Sequence, residues 1–103
     1  MQFKVEIVVK LPGDWQKAQV DEIYAAEMEH AHILRKEGKL LRIWRIVGER
    51  ANVGIWQADS LEELHESISG LPLFPYMEVS VTPLIEHPST PSYRAQFGEL
   101  PAI

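Results

Sequence analysis

The alternation of hydrophobic and polar positions along the chain predicts four strands separated by two helices. In the first segment Phe3, Val5 and Ile7 alternate with Lys4 and Glu6, which is the two-residue period of a strand with one buried face. Three later segments have a strand-like composition and are bounded by glycine or proline. The four predicted strands are 3–11, 40–47, 51–58 and 76–84.

The two helices are predicted from apolar residues that recur every three or four positions. At about 100° per residue, the apolar stripe of the first helix falls within an arc of roughly 80° and consists of Val20, Ile23, Ala31 and Leu34. Asp14 is the predicted N-cap of this helix, and Gly38 is expected to end it. Ser60 and Glu63 form a capping box that begins the second helix. Its apolar stripe is Leu61, Leu64, Ile68 and Leu71.

The element order β-α-β-β-α-β predicts an α+β protein with the ferredoxin-like fold. Its antiparallel sheet would carry both helices on one face and leave the other face open. We place Leu40 on that open face together with Arg42 and Trp44, and Val8 adds a further apolar residue there. An open face of this kind is expected to pair with a second copy, which gives a dimeric α+β barrel.

The chain is expected to consist of a ferredoxin-like domain, residues 1–89, followed by a C-terminal arm, residues 90–103. The arm contains several prolines and shows no helix or strand period. Its apolar residues nevertheless argue against a solvated tail: they are Tyr93, Phe97, Leu100 and Ile103. We therefore expect the arm to pack on a neighbouring subunit.

Composition narrows the classes of function. The 15 acidic and 10 basic residues give a net charge of −5, which argues against nucleic-acid binding because that needs clustered basic residues. The absence of cysteine removes disulfides, a thiolate nucleophile and cysteine metal sites, and it fits a cytoplasmic location. From the residues at the N-terminus we expect no signal peptide, and no apolar run reaches about 18 residues, so we expect no membrane partner.

Glu27 is the main candidate for chemistry, because it projects near the centre of the apolar stripe of the first helix. A carboxylate on that face loses hydration, which raises its pKa and suits it to act as a general base. The alternative is a structural glutamate that either pairs with an arginine across the core or reaches the edge of the helix and is hydrated there. Periodicity leaves both interpretations open. No metal-ligand motif is present.

A series of short blocks resembles the muconolactone isomerase family of bacteria. The most specific is residues 71–77, LPLFPYM, and the series covers residues 1–89 in the order of the family. The other blocks are Lys10-Leu11-Pro12, Glu27, Glu37-Gly38, residues 41–46 with Trp44-Arg45-Ile46, Gly48, Ala51-Asn52, Ser60, Leu64-His65 and His87-Pro88-Ser89. Residues 90–103 have no counterpart in this pattern.

The resemblance implies an isomerase of the catechol branch of the 3-oxoadipate pathway. Such an enzyme shifts the ring double bond of muconolactone, a small-molecule lactone, to give 3-oxoadipate enol-lactone by proton transfer. It needs no metal and no organic cofactor. The family also implies a homo-oligomer, a dimer or a larger ring such as a decamer, in which neighbouring subunits complete the pockets.

The resemblance also suggests roles for particular residues. Glu27 would be the catalytic base, and Arg45 would bind the carboxylate of the substrate unless it forms a structural ion pair with Glu27. Arg42 and Asn52 are candidates to stabilise the enolate oxygen. The remaining candidates for substrate contact are Trp44, His65, Phe74, Tyr76 and His87. For His65 a purely structural place on the second helix is the alternative, and His87 could simply turn the chain.

Departures from the family pattern leave the substrate open. At Met28, Leu40, Arg42 and Val53 the family carries other residue types, namely lysine, an aromatic residue, histidine and an aromatic residue. A substituted muconolactone or another butenolide acid is therefore an alternative substrate. Two other functions suit the same dimeric fold: a non-catalytic ligand-binding or assembly protein, and a monooxygenase that is either cofactor-free or haem-dependent.

Overall fold

The computed structural model describes residues 1–101 and follows the predicted element order, with one helix added at the end. The strands are β1 (Gln2–Val9), β2 (Leu40–Arg45), β3 (Ala51–Gln57) and β4 (Met77–Leu84). The helices are α1 (Lys17–Lys36), α2 (Leu61–Ser69) and α3 (Ser89–Phe97). Tyr76, predicted to begin the fourth strand, instead ends a short 3-10 turn (Phe74–Tyr76). No helix of the described chain combines the length and the apolar character that crossing a bilayer requires.

The four strands form one antiparallel sheet in the order β2-β3-β1-β4, which is the ferredoxin-like arrangement that the sequence predicts. β1 is central, and every second residue along it is buried, as its alternating pattern requires. Phe3 of β1 lies opposite Trp56 of β3, and both are buried. Residues of α1 and α2 pack against the same hydrophobic cluster, so both helices cover one face of the sheet.

α1 starts with a different N-cap from the predicted one. The helix begins after Gln16, which forms a reciprocal capping box with Gln19, and the Gln16 N–H donates to Oε1 of Gln19 at 2.8 Å. The prediction of Asp14 is wrong because a backbone turn in the preceding loop delays the helix. Gly38 follows the C-terminal cap as predicted, with a φ of 76° that side-chain-bearing residues rarely adopt.

The N-terminus of α2 is capped as predicted, with one difference. The Ser60 hydroxyl accepts a hydrogen bond from the Glu63 N–H at 3.1 Å. The Glu63 carboxylate, however, accepts from the N–H of Asp59 at 3.0 Å, one residue before the cap. Burial along the helix begins at Leu64, because the first residue, Leu61, stays 60% exposed. Its predicted place in the buried stripe is wrong.

A bulge in β2 changes which of its residues face the helices. The register of β2 against β3 shifts between Leu40 and Arg42, so that Leu41 is an extra residue on the β2 side. Leu40 consequently lies on the helix-covered face and is only 2% exposed. Its predicted place beside Trp44 on the open face is therefore wrong. After the bulge Arg45 also faces the helices, while Arg42 and Trp44 face away from them.

The C-terminal arm begins with a helix, which the sequence pattern did not predict. Pro88 is the N-cap of α3, with a φ of −57°, and Pro91 lies in the first turn. Proline is tolerated there because the first N–H groups of a helix have no intrahelical partner. The prolines that suggested an irregular arm are thus compatible with a helix start.

The apolar residues of the arm remain largely exposed on this chain. Tyr93 and Phe97 contact each other with ring centroids 5.2 Å apart, and Phe97 is 71% exposed. Leu100 is also exposed, and Ile103 lies outside the described residues. The division into a domain, residues 1–89, and an arm, residues 90–103, stays a prediction.

Candidate active site

A cavity of about 350 Å³ opens between α1 and the helix-covered face of the sheet. This volume is in the range of pockets that hold small molecules. α1 contributes Tyr24, Glu27, Met28, Ala31, His32 and Arg35. The strands and their connections contribute Val9, Ile43, Arg45, Arg50, Asn52, Leu73 and Met77. The cavity thus combines an apolar lining with a few polar side chains.

Glu27 lies half-buried in the wall of this cavity. Its Oε1 accepts a hydrogen bond from the Leu73 N–H at 3.0 Å, which ties α1 to the segment before the 3-10 turn. Burial raises the pKa of Glu27, and this effect outweighs the opposing effects of the Leu73 hydrogen bond and of the nearby His30. One carboxylate oxygen is therefore anchored, and the group as a whole holds a proton more readily than an exposed glutamate does.

Three arginines line the cavity, and Arg45 is the one predicted from the sequence. Arg45 lies opposite Asn52 in the β2–β3 register, so both face the cavity. Within residues 1–101 the carboxylate of Glu27 forms no salt bridge, with Arg45 or with any other cation. The structural ion pair considered above is therefore not seen. Arg35 and Arg50 add further positive charge to the pocket, and among residues 1–101 Glu27 is the one acidic residue in its lining.

Two polar atoms of the cavity wall are buried without a hydrogen-bond partner among the described residues. They are the hydroxyl of Tyr24 and Oδ1 of Asn52. Buried polar groups are almost always hydrogen-bonded in folded proteins, so these two atoms are exceptions at the cavity wall. The part of the chain covered by residues 1–101 contains no cluster of three histidine, aspartate or glutamate side chains suited to a metal ion.

Comparison with known proteins places the chain in a family. The sequence pattern of the family described as muconolactone delta-isomerase matches residues 1–90. The chain belongs to the muconolactone delta-isomerase family. This confirms the resemblance predicted from the short blocks and favours an isomerase over the binding-protein and monooxygenase alternatives.

Individual members of the muconolactone delta-isomerase family match over nearly their whole length. The enzyme of Cupriavidus pinatubonensis is 49% identical over 90 residues, which is 87% of this chain and 98% of the relative. The Pseudomonas aeruginosa enzyme is 41% identical over 90 residues, 87% of this chain and 94% of the relative. A crystal structure of muconolactone isomerase superimposes with a TM-score of 0.80 at 43% identity, covering 86% of this chain and 93% of that one.

Arg42 and Trp44, predicted to bind substrate, lie outside the cavity of this muconolactone isomerase family member. Both line a shallow depression on the open face of the sheet, together with Gln2. The Arg42 guanidinium donates to the backbone C=O of its neighbour Leu41 at 2.8 Å. Arg42 and Trp44 are thus separated from Glu27 in the structure. This geometry does not favour the prediction that they contact the substrate bound beside Glu27 of the same chain.

The other predicted contacts also lie outside the cavity lining. His65 packs edge-on against Phe74, with ring centroids 6.0 Å apart, and Tyr76 packs edge-on against Trp15 at 4.9 Å. His87 accepts the N–H of Ser89 at 3.1 Å through Nδ1 and so stabilises the start of α3. These contacts give each side chain a structural role in this chain. Their part in substrate binding stays a prediction.

Sequence reasoning missed several cavity residues, chiefly Tyr24 and Arg50. The spacing contains a signal for Tyr24, because it precedes Glu27 by three positions and therefore shares its helix face. Arg50 follows the β2–β3 turn, and the Val9 N–H donates to its C=O at 2.8 Å, which fixes the backbone beside β1. The Arg50 guanidinium lies above the Tyr24 ring, 5.8 Å from its centroid, and the sequence pattern has no signal for this tertiary contact.

Proposed function

We propose that this protein is a cofactor-independent isomerase that moves the ring double bond of muconolactone or a closely related butenolide acid in the degradation of aromatic compounds. The observation that carries the proposal is Glu27, a half-buried carboxylate of raised pKa in the wall of a cavity of small-molecule size. Membership of the muconolactone delta-isomerase family supports the reaction type.

The proposed reaction is a proton transfer in two steps. Glu27 removes the proton from the ring carbon that bears the acetate arm, and the electron pair of that C–H bond enters the ring to form a dienolate. Protonated Glu27 then returns the proton to the carbon next to the lactone carbonyl, two ring positions away, and the double bond has moved. A base with a pKa raised towards neutrality is suited to both steps, because it must accept a proton and then give it up.

Arg45 is the proposed partner of the acetate arm. Its guanidinium faces the same cavity as Glu27 and forms no salt bridge within the described part of the chain. A guanidinium offers two parallel N–H groups that match the two oxygens of a carboxylate. Binding the arm there would hold the ring against α1, where Glu27 projects.

The test is turnover of muconolactone by the purified protein, without added metal and in the presence of a chelator. We expect loss of the starting lactone, followed by ultraviolet absorbance, and one-to-one appearance of the enol-lactone by proton NMR. In deuterated water, deuterium at the carbon next to the lactone carbonyl should be substoichiometric, because Glu27 returns the proton it removed unless that proton first exchanges with solvent. A folded protein that converts none of a panel of butenolide acids would refute the proposed function.

We also propose that the protein is a homo-oligomer in the cytoplasm. Support for assembly comes from apolar groups exposed on the open face and on the arm, among them Trp44 at 42% and Leu100 at 47%. Exposed apolar area of this kind is typical of an interface. The absence of cysteine is compatible with a reducing compartment.

Light scattering tests the assembly directly. We expect the full chain to be at least a dimer at micromolar concentration, and a chain ended after Ser89 to form a smaller or less heat-stable oligomer. A Trp44→Ser variant should weaken self-association if the open face forms the contact, whereas Lys17→Ser on the exposed side of α1 should not. A full chain with the mass of a monomer would contradict this prediction.

A further inference from the structure

The two unpartnered atoms of the cavity wall differ in what they can bond. Oδ1 of Asn52 is a carbonyl oxygen and therefore accepts hydrogen bonds. The Tyr24 hydroxyl is both a donor and an acceptor, and it finds no partner of either kind among residues 1–101. The hydroxyl is therefore an unused O–H donor that is buried in the wall of the cavity.

Tyr24 is placed on the same side of the cavity as the proposed base. It precedes Glu27 by three residues on α1, and residues with this spacing are neighbours on a helix surface. Tyr24 therefore lines the cavity about one helix turn from Glu27, towards the N-terminal end of α1. A small lactone ring that offers its proton to Glu27 can extend its carbonyl oxygen towards this end.

The Tyr24 ring is covered from the other side by Arg50. The guanidinium carbon of Arg50 lies 5.8 Å from the ring centroid, within the range of a cation–π contact. This contact holds the ring in place and brings a positive charge close to the phenol. The surroundings of the hydroxyl are thus electrostatically favourable to a negatively charged oxygen.

The proposed reaction creates such an oxygen. When the ring proton leaves, negative charge spreads onto the lactone carbonyl oxygen, and a donor there lowers the barrier because the bond strengthens as the charge develops. Of the two donors considered from the sequence, Arg42 lies on the open face, and the unpartnered atom of Asn52 is its oxygen, which accepts hydrogen bonds. We propose that the hydroxyl of Tyr24 donates the hydrogen bond that stabilises the dienolate oxygen, an assignment that rests on the proposed isomerase function.

The first experiment replaces Tyr24 by phenylalanine, which keeps the ring and its contact with Arg50 and removes only the O–H. We expect kcat on muconolactone to fall by about 100- to 1,000-fold, the usual cost of losing one donor to a developing oxyanion, with KM changed only a few-fold. Tyr93→Phe, on the exposed surface of α3, is the matched control and should keep the kcat of the wild type. A Tyr24→Phe variant within about threefold of the wild-type kcat would overturn the assignment.

The second experiment measures binding and does not depend on turnover. The first probe is a tetronate that carries an acetate arm, a planar five-membered lactone whose enolate charge is already present. The second probe is the saturated lactone acid with the same arm and no enolate. We expect Tyr24→Phe to weaken tetronate binding by about 10- to 100-fold, the range for a hydrogen bond to a charged group, and to weaken binding of the saturated lactone, whose carbonyl oxygen is neutral, by no more than a few-fold.

The binding results separate the two proposals. If Tyr24→Phe lowers the affinity for both probes equally, Tyr24 only shapes the pocket. If it lowers neither affinity, Tyr24 does not contact the enolate. Either result overturns the assignment. A wild-type protein that shows no turnover refutes the isomerase proposal. In that case the preference for the tetronate over the saturated lactone can still be compared between the wild type and Tyr24→Phe. A smaller preference in the variant shows that the hydroxyl recognises an enolate, and an unchanged preference shows that it does not.

Discussion

Replacing Glu27 by glutamine is expected to give a folded protein whose turnover of muconolactone falls by about two to four orders of magnitude, the range for loss of a general acid–base group. Glutamine keeps the volume and a side-chain oxygen that can accept the Leu73 N–H, so the link between α1 and the 3-10 turn survives. It cannot take up a proton from the ring carbon. Circular dichroism shows whether the variant is folded, and the turnover assay measures its loss of activity.

Glu29→Gln is the matched control, because Glu29 is an exposed glutamate on the same helix and should keep full activity. In the wild type, kcat/KM should rise with pH through the pKa of Glu27, since the ionised form is the base, and level off above it. Because burial raises that pKa, the rise of kcat/KM should occur at a higher pH than the usual pKa of a glutamate would give. Activity of Glu27→Gln within about tenfold of the wild type would make Glu27 a structural residue.

Replacing Arg45 by methionine should raise KM for muconolactone by about 10- to 100-fold, which corresponds to the loss of a charged hydrogen bond. Methionine keeps much of the length of the side chain but removes the fork that would hold the acetate arm. The effect on kcat should be smaller, because the arm is bound in the ground state and in the transition state alike. Steady-state kinetics over a wide substrate range measures both constants.

Arg42→Met provides the comparison within the same strand. Arg42 lies on the open face and outside the cavity, so its replacement should change KM much less than that of Arg45. The reverse order of effects would mean that the carboxylate is bound at the open face, for instance across a contact between subunits. A neutral lactone that lacks the acid group is a further check. Arg45→Met should not weaken its binding, because it has no carboxylate for Arg45 to hold.

The sequence was sufficient for the fold because each element has its own local signal. The alternation in β1, the apolar stripe of α1 and the cap at Ser60 each specify one element without reference to the others. Glu27 was also predictable, since a charged residue in the middle of an apolar stripe is visible from the period alone. Its acceptance of the Leu73 N–H was not, because 46 residues separate the two.

The errors arose where geometry depends on a partner segment. A bulge is a property of two paired strands, so the pattern of β2 alone put Leu40 on the wrong face. Arg50 sits in a connection without periodicity, and its place above Tyr24 follows from the pairing of β3 with β1. The helix α3 was missed because proline stops a helix in its interior but not in its first turn.

The half-buried position of Glu27 affects how the protein would respond to laboratory selection for stability. Its pKa is higher in the folded protein than in the unfolded chain, so its favourable contribution to folding is complete below the unfolded pKa and is lost as the pH rises through the folded pKa. Above its folded pKa the ionised carboxylate therefore weakens the fold that holds it. Laboratory evolution for heat resistance alone would favour a neutral residue at position 27 and discard the proposed base, so such a screen must also demand activity.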